Sequence, residues 1–169
     1  MDLIHIQEVK SGKFQDPVEC LNDEGHVAMD THEMSKDFHV AMGCCHTLTG
    51  MEDGSITGNM VEKVMFHTSG FMLPSRERPD IITAPPSSNL GECKILRMFE
   101  FDHNRMNSGV CVQVGSRKLV IFKGAYEAIQ KLASVGVPSD YKKVTDAWGD
   151  DAYYVLAVAI KDVTSSRKK

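Results

Sequence analysis

Three stretches of this chain hold side chains that could do chemistry, and their spacing decides what kind. Cys44-Cys45-His46 sets two thiols beside an imidazole. Adjacent helical residues diverge by about 100°, so both thiols cannot serve one ion, and no second cysteine pair stands at zinc-like spacing. The expectation there is a buried thiol packing a helix face, with no metal. Phe122-Lys123-Gly124-Ala125 ends an apolar run on a lysine, with two small residues behind it. A lysine is costly to bury unpaired, and the small residues leave room for a flat ligand to approach the backbone. The plain alternative is an edge lysine whose head reaches back to water. Phe99-Glu100-Phe101-Asp102-His103-Asn104-Arg105 places aromatics among cations, as a stacking platform with nearby charge requires. The chain has no Gly-x-x-x-x-Gly-Lys-Ser/Thr, no Gly-x-Gly-x-x-Gly after a strand, and no Gly-x-Ser-x-Gly. None of the corresponding phosphate, dinucleotide or acyl-transfer sites is signalled.

The elements that must hold these residues are legible in the hydrophobic pattern. Phe38, Ala41, Met42, Cys45 and Leu48 recur at one-face helical spacing, with Ser35 at capping distance from Phe38. Val61, Val64 and Met65 predict a second helix, stopped by Gly70. Residues 3–9 and 95–101 read as strands, and residues 110–114 and 119–122 as a hairpin across Gly115-Ser116. Residues 11–30 and 74–92 read as loops. Helical spacing returns over residues 125–133 and 141–148. Residues 153–160 suit a buried strand, with a buried helical segment left open by periodicity. The fold class is α+β, a twisted antiparallel sheet flanked by helices.

Composition narrows the function. The chain has 169 residues, 42% hydrophobic and 25% charged, with 19 Lys and Arg against 23 Asp and Glu. A net charge of −4 speaks against a general nucleic-acid binder, which needs a basic surplus. No apolar run approaches the roughly 20 residues of a membrane helix, so no membrane contact is expected. Five cysteines without a regular framework, and a start without a leader pattern, fit a reducing cytosolic compartment. A strand-like pattern at the first residues and a polar tail without a boundary signal suggest a piece of something longer.

Four segments together resemble the nucleotide-binding domain of P-type ATPases, in that family's order. Gly58-Asn59-Met60-Val61-Glu62 resembles its Gly-Asp-Pro-x-Glu stretch, and residues 99–110 resemble its Glu-Phe-…-Arg-…-Met-Ser-Val strand. Phe122-Lys123-Gly124-Ala125-Tyr126-Glu127 resembles Lys-Gly-Ala-Pro-Glu, the most specific of the four, and residues 154–161 resemble the closing Arg-Val-Leu-Ala-x-Ala-x-Lys/Arg strand. Residues 2–7 and 41–49 are similar to stretches of the fifth subfamily, group B, whose members move polyamines or cations across endolysosomal and related membranes. The resemblance runs over residues 2–163.

That resemblance implies an ATP-binding α+β domain spanning residues 1–169, cut from a pump whose phosphorylatable aspartate and membrane helices lie elsewhere. Phe101 would stack on adenine, Glu62 would accept from its amino group, and Lys123 would line the pocket with Gly124 giving the ring room. His103 falls near the phosphates, as does Lys161. Mg²⁺ would accompany ATP in the full-length protein. The partners would be that chain's own phosphorylation and actuator domains, at the cytosolic face of a membrane. The domain alone would carry no catalytic residue and would bind without turnover. His103 and Met106 replace the Arg and Lys of calcium pumps, Asn59-Met60 replaces Asp-Pro, and Tyr126 replaces Pro. The alternative is a degenerate domain of the same fold, serving as a scaffold or interaction module. A free-standing Cys/His hydrolase is a third, more distant reading.

Overall fold

The computed structural model describes residues 5–20 and 34–164. The first residues of the N-terminal strand reading and most of the latter part of the 11–30 loop lie outside that range. In chain order the elements are β1 (His5–Ile6), β2 (Val9–Lys10), β3 (Lys13–Phe14), β4 (Val18–Glu19), α1 (Lys36–Cys44), β5 (Thr49–Gly50), β6 (Ile56–Thr57) and α2 (Met60–Ser69). They continue with β7 (Ile81–Thr83), a 3-10 turn (Pro86–Ser88), β8 (Glu92–Asp102), β9 (Asn107–Val114), β10 (Arg117–Ala125), α3 (Tyr126–Leu132), α4 (Tyr141–Asp150) and β11 (Leu156–Asp162). The α+β expectation holds.

The centre is a five-stranded sheet in the order β11-β10-β9-β8-β7, antiparallel at every pair. Its middle hairpin closes through Gly115-Ser116, where Gly115 takes φ 56°. That positive φ suits a two-residue turn and explains the glycine. Along β10, Leu119, Ile121 and Lys123 are buried on one face, paired with Val112, Val110 and Ser108 of β9. Val158 and Ile160 of β11 continue that face, and Val40, Ala41, Phe66 and Phe71 cover it from the helical side. Period-two alternation is thus what sends Lys123 towards the helices.

Both covering helices are capped as their sequences suggest. Ser35 Oγ accepts from the Phe38 N–H at 3.3 Å, and Asn59 Oδ1 accepts from the Val61 N–H at 2.8 Å. Gly70 ends α2 in the left-handed region at φ 68°. The first helix is shorter than its apolar spacing predicts, because it stops at Cys44 and leaves Leu48 beyond it. The peptide groups that would have continued it are committed elsewhere, as the site shows. The 74–92 loop is also corrected: Ile81–Thr83 pairs with β8 as the sheet's edge, with Ile82 buried. Among the described residues no helix is long and apolar enough to cross a membrane.

Candidate functional site

The end of β10 delivers the Lys123 ammonium into the gap between the sheet and the start of α2. Its Nζ donates to Glu62 Oε1 at 3.0 Å and to the Cys45 carbonyl at 2.9 Å. Only 6% of the Lys123 side chain and 12% of the Glu62 side chain remain exposed. The lysine is therefore neither an edge residue nor unpaired. Glu62 sits in the first turn of α2, where the helix N-terminus favours a carboxylate. Its second oxygen accepts from the Thr47 N–H at 2.9 Å and the Thr47 hydroxyl at 3.0 Å. Burial works to raise the Glu62 carboxyl, but the Lys123 charge and the Thr47 bonds outweigh it, so it lies below its ordinary value. Three bonds occupy a carboxylate that offers about four acceptor positions.

The turn after α1 holds both charges at once, and it explains why that helix ends. The Cys45 carbonyl faces Lys123, the Thr47 N–H faces Glu62, and neither can serve a helical ladder. His46 closes the turn. Its Nδ1 accepts from the Leu48 N–H and its Nε2 donates to the Gly43 carbonyl, both at 3.1 Å. Burial drives its pKa down to about 4, against smaller opposing effects of Glu62 and the Gly43 carbonyl, so the ring is neutral near pH 7. Burial likewise pushes the Cys45 thiol up to about 11, which leaves it protonated and unsuited to nucleophilic chemistry. That removes the chemical basis of a Cys/His hydrolase here. Thr47, His46 and the Cys45 carbonyl were not marked as site groups by sequence. In sequence the stretch Cys44-Cys45-His46 reads as a buried thiol packing a helix face, and nothing local says that the turn after it grips two distant charges.

Phe101 approaches from the other side of β9. A register shift between Phe99 and Asp102 puts Glu100 and Phe101 opposite the single residue Ser108, which itself pairs with Lys123. Bulges of this kind re-aim side chains. Two strand spacings separate the Phe101 and Lys123 backbones, about 10 Å. The Phe101 ring is 46% exposed and meets His103 edge-on at 5.1 Å. Arg97 lies over the Phe99 ring at 5.0 Å, and Arg105 is held by Asp102 at 2.8 Å. A shallow hollow of about 410 Å³ runs along this edge, lined by Arg97, Phe99, Phe101 and Arg105, and it does not include Glu62 or Lys123.

Gly124 and Lys161 stand differently from what the resemblance implies. A Cβ on Gly124 would lie 2.2 Å from the Met106 carbonyl oxygen and 2.8 Å from the Asn107 Cα. The space beside this glycine is filled by the β8–β9 hairpin, so the backbone itself demands the glycine. Lys161 pairs with Val120, whereas Lys123 pairs with Val158. An odd offset of three residues along β11 puts Lys161 on the opposite face, about 10 Å further along the strand. The structure joins Lys123 to Glu62, puts Phe101 with His103 at a separate exposed edge two strand spacings away, and leaves Lys161 apart. Among the described residues no group of three or more His, Cys, Asp or Glu is placed to hold a metal ion.

Over 124 residues the chain is 24% identical to the endoplasmic reticulum transmembrane helix translocase of Saccharomyces cerevisiae. The match covers 73% of this chain and 10% of that protein, so the chain spans a small part of its relative's length. No family model matches the chain. The similarity agrees in kind with a relation to membrane transport proteins, and it bears on no individual site residue.

Proposed function

We propose that this chain is the nucleotide-binding domain of a P-type transport ATPase, holding the adenosine end of ATP for an aspartate elsewhere in the parent protein. The observation that carries this reading is the buried Lys123–Glu62 pair at 3.0 Å, with an exposed aromatic ring two strand spacings away on the same rung of the sheet. Phe101 offers a free face for a base, where stacking contributes on the order of 1–3 kcal/mol. Glu62 has one acceptor position for an exocyclic amine. The donor set suits a nucleoside better than a triphosphate, since Arg97 and Arg105 are engaged and Lys161 lies across the sheet. The phosphates then project outward, towards the phosphorylation domain of the same full-length chain. Mg²⁺ bound to them supplies charge neutralisation for phosphoryl transfer. The domain works at the cytosolic face of the parent's membrane, beside the actuator domain, and the phosphorylated aspartate belongs to another part of the parent.

Titration with AMP, ADP and ATP, followed by amide NMR, tests the reading. Saturable binding is expected with Kd of about 0.1–10 mM, or about −5.5 to −2.7 kcal/mol. The perturbed amides should cluster at Phe101, Thr47 and Glu62. Absence of saturable binding at about 10 mM favours the second reading, a scaffold of the same fold. One observation supports that second reading: the two charges of the site are already closed on each other and on the 45–47 turn.

A further inference from the structure

Two oppositely charged side chains, from different elements, are gripped by one three-residue turn. Lys123 comes from β10 and Glu62 from α2, and the turn offers them the Cys45 carbonyl and the Thr47 N–H. These two backbone groups point the right way only while residues 45–47 keep their shape. Nothing in a standard helix end provides that shape: the last helical residue is Cys44, and Cys45 leaves helical geometry at φ −94°, ψ 73°. His46 supplies it. The imidazole reaches back to the Gly43 carbonyl and forward to the Leu48 N–H, so its two nitrogens clamp the turn from both ends. The ring is wedged edge-on against Phe66 at 4.8 Å and is 7% exposed, so it has no alternative position in water.

We propose that His46 is the positioning residue of the Lys123–Glu62 site: as its neutral Nε2–H tautomer it locks the 45–47 turn, and its protonation releases both charged side chains together. The proposal concerns regulation of the site read above as nucleotide-binding, but the lock itself requires no nucleotide. The chemistry is specific to one tautomer. Nδ1 must be bare to accept from Leu48, and Nε2 must carry its proton to donate to Gly43. A proton added to Nδ1 would face the Leu48 N–H, donor against donor, and one contact must open. The charged groups bearing on the ring are Glu62 from α2 and Lys123 from β10. Glu62 favours imidazolium and Lys123 opposes it, so burial sets the balance towards the neutral ring.

The test uses NMR on the chain without ligand. The imidazole nitrogen shifts should report a bare Nδ1 and a protonated Nε2 near neutral pH. On acidification, protection of the Leu48 amide from hydrogen exchange should fall at least tenfold, following the His46 titration. In His46→Phe, which keeps the ring against Phe66 but loses both hydrogen bonds, the Glu62 carboxyl should titrate nearer its ordinary value. His46→Asn, which keeps an acceptor at the Nδ1 position, should recover part of that shift. A Glu62 titration unchanged in folded His46→Phe, or a protonated Nδ1 in the parent chain, overturns the proposal. If His46→Phe does not fold, the tautomer and the Leu48 exchange profile decide by themselves. Adenosine is added last, as a separate measurement. A Glu62 shift without adenosine binding keeps the lock and removes the nucleotide reading; adenosine binding with an unmoved Glu62 does the reverse.

Discussion

The two ends of one rung across the sheet show opposite ways of presenting a reactive group. At β10, Lys123 is 5% exposed and its ammonium donates to two fixed acceptors, Glu62 and the Cys45 carbonyl. At β8, Phe101 is 46% exposed, and its ring meets His103 at an edge. The hydrophobic effect alone would place them the other way round. Lysine goes inside because a carboxylate and a carbonyl replace its water, and phenylalanine stays outside because a bulge turns it from the core. The lysine end should therefore dominate stability, and the phenylalanine end should dominate ligand affinity with little effect on folding.

The largest expected break in this comparison is Glu62→Ala. It leaves a buried ammonium with one carbonyl, and should cost about 3–5 kcal/mol in urea unfolding. The double variant Lys123→Met with Glu62→Leu should cost less than Glu62→Ala alone, because no uncompensated charge remains. Acid should act on the same end. The His46 pKa is about 4 in the fold against an ordinary 6.5, so between these values the unfolded chain binds more protons. Stability should be intact above pH 6.5 and decline as pH falls towards 4, by about 3 kcal/mol in all. The depressed Glu62 carboxyl adds stability above its ordinary value of 4.5 that is lost as pH falls through its lower folded value. Urea midpoints across an acid series check both.

Gly124→Ala should cost about 1–3 kcal/mol of stability, since the new methyl meets a backbone carbonyl that must shift. Phe101→Ala should weaken AMP binding by about 1–3 kcal/mol while changing stability by less than about 0.5 kcal/mol. Calorimetry and unfolding on one sample separate the two effects. The smallest difference is the control. Lys118→Ala, at the exposed hairpin end, should barely change nucleotide affinity at about 0.15 M salt, whereas Lys123→Ala should lower it clearly. Equal losses would make Lys123 an ordinary surface charge in its effect on the ligand.

The fold was legible wherever one segment decides its own conformation. Val61, Val64 and Met65 mark α2, Gly70 stops it, and Gly115-Ser116 closes the central hairpin. What escaped depends on partners distant in sequence. Ile81–Thr83 is too short to announce a strand among prolines and charges, and becomes one only through β8. Leu48 keeps helical spacing, but the peptide groups before it are taken by Lys123 and Glu62. The parity that separates Lys161 from Lys123 is fixed by the register of β11 on β10, and a shift of one residue would have reversed it. The Lys123–Glu62 contact, implied by resemblance alone at the level of sequence, is where local pattern had least to say and geometry most.

The close fit of the β8–β9 hairpin into Gly124 has a mechanical consequence. Met106 adopts φ 50°, unusual for a residue with a side chain, and its carbonyl accepts from the Ala125 N–H at 3.2 Å. The hairpin tip is thereby latched onto the strand end that carries Lys123. Phe101 and Lys123 belong to one stiff plate, and their separation changes only if the latch opens. The spacing of these two strand positions is set by the fold itself, so a ligand at either one need not spend ordering entropy on the backbone that joins them.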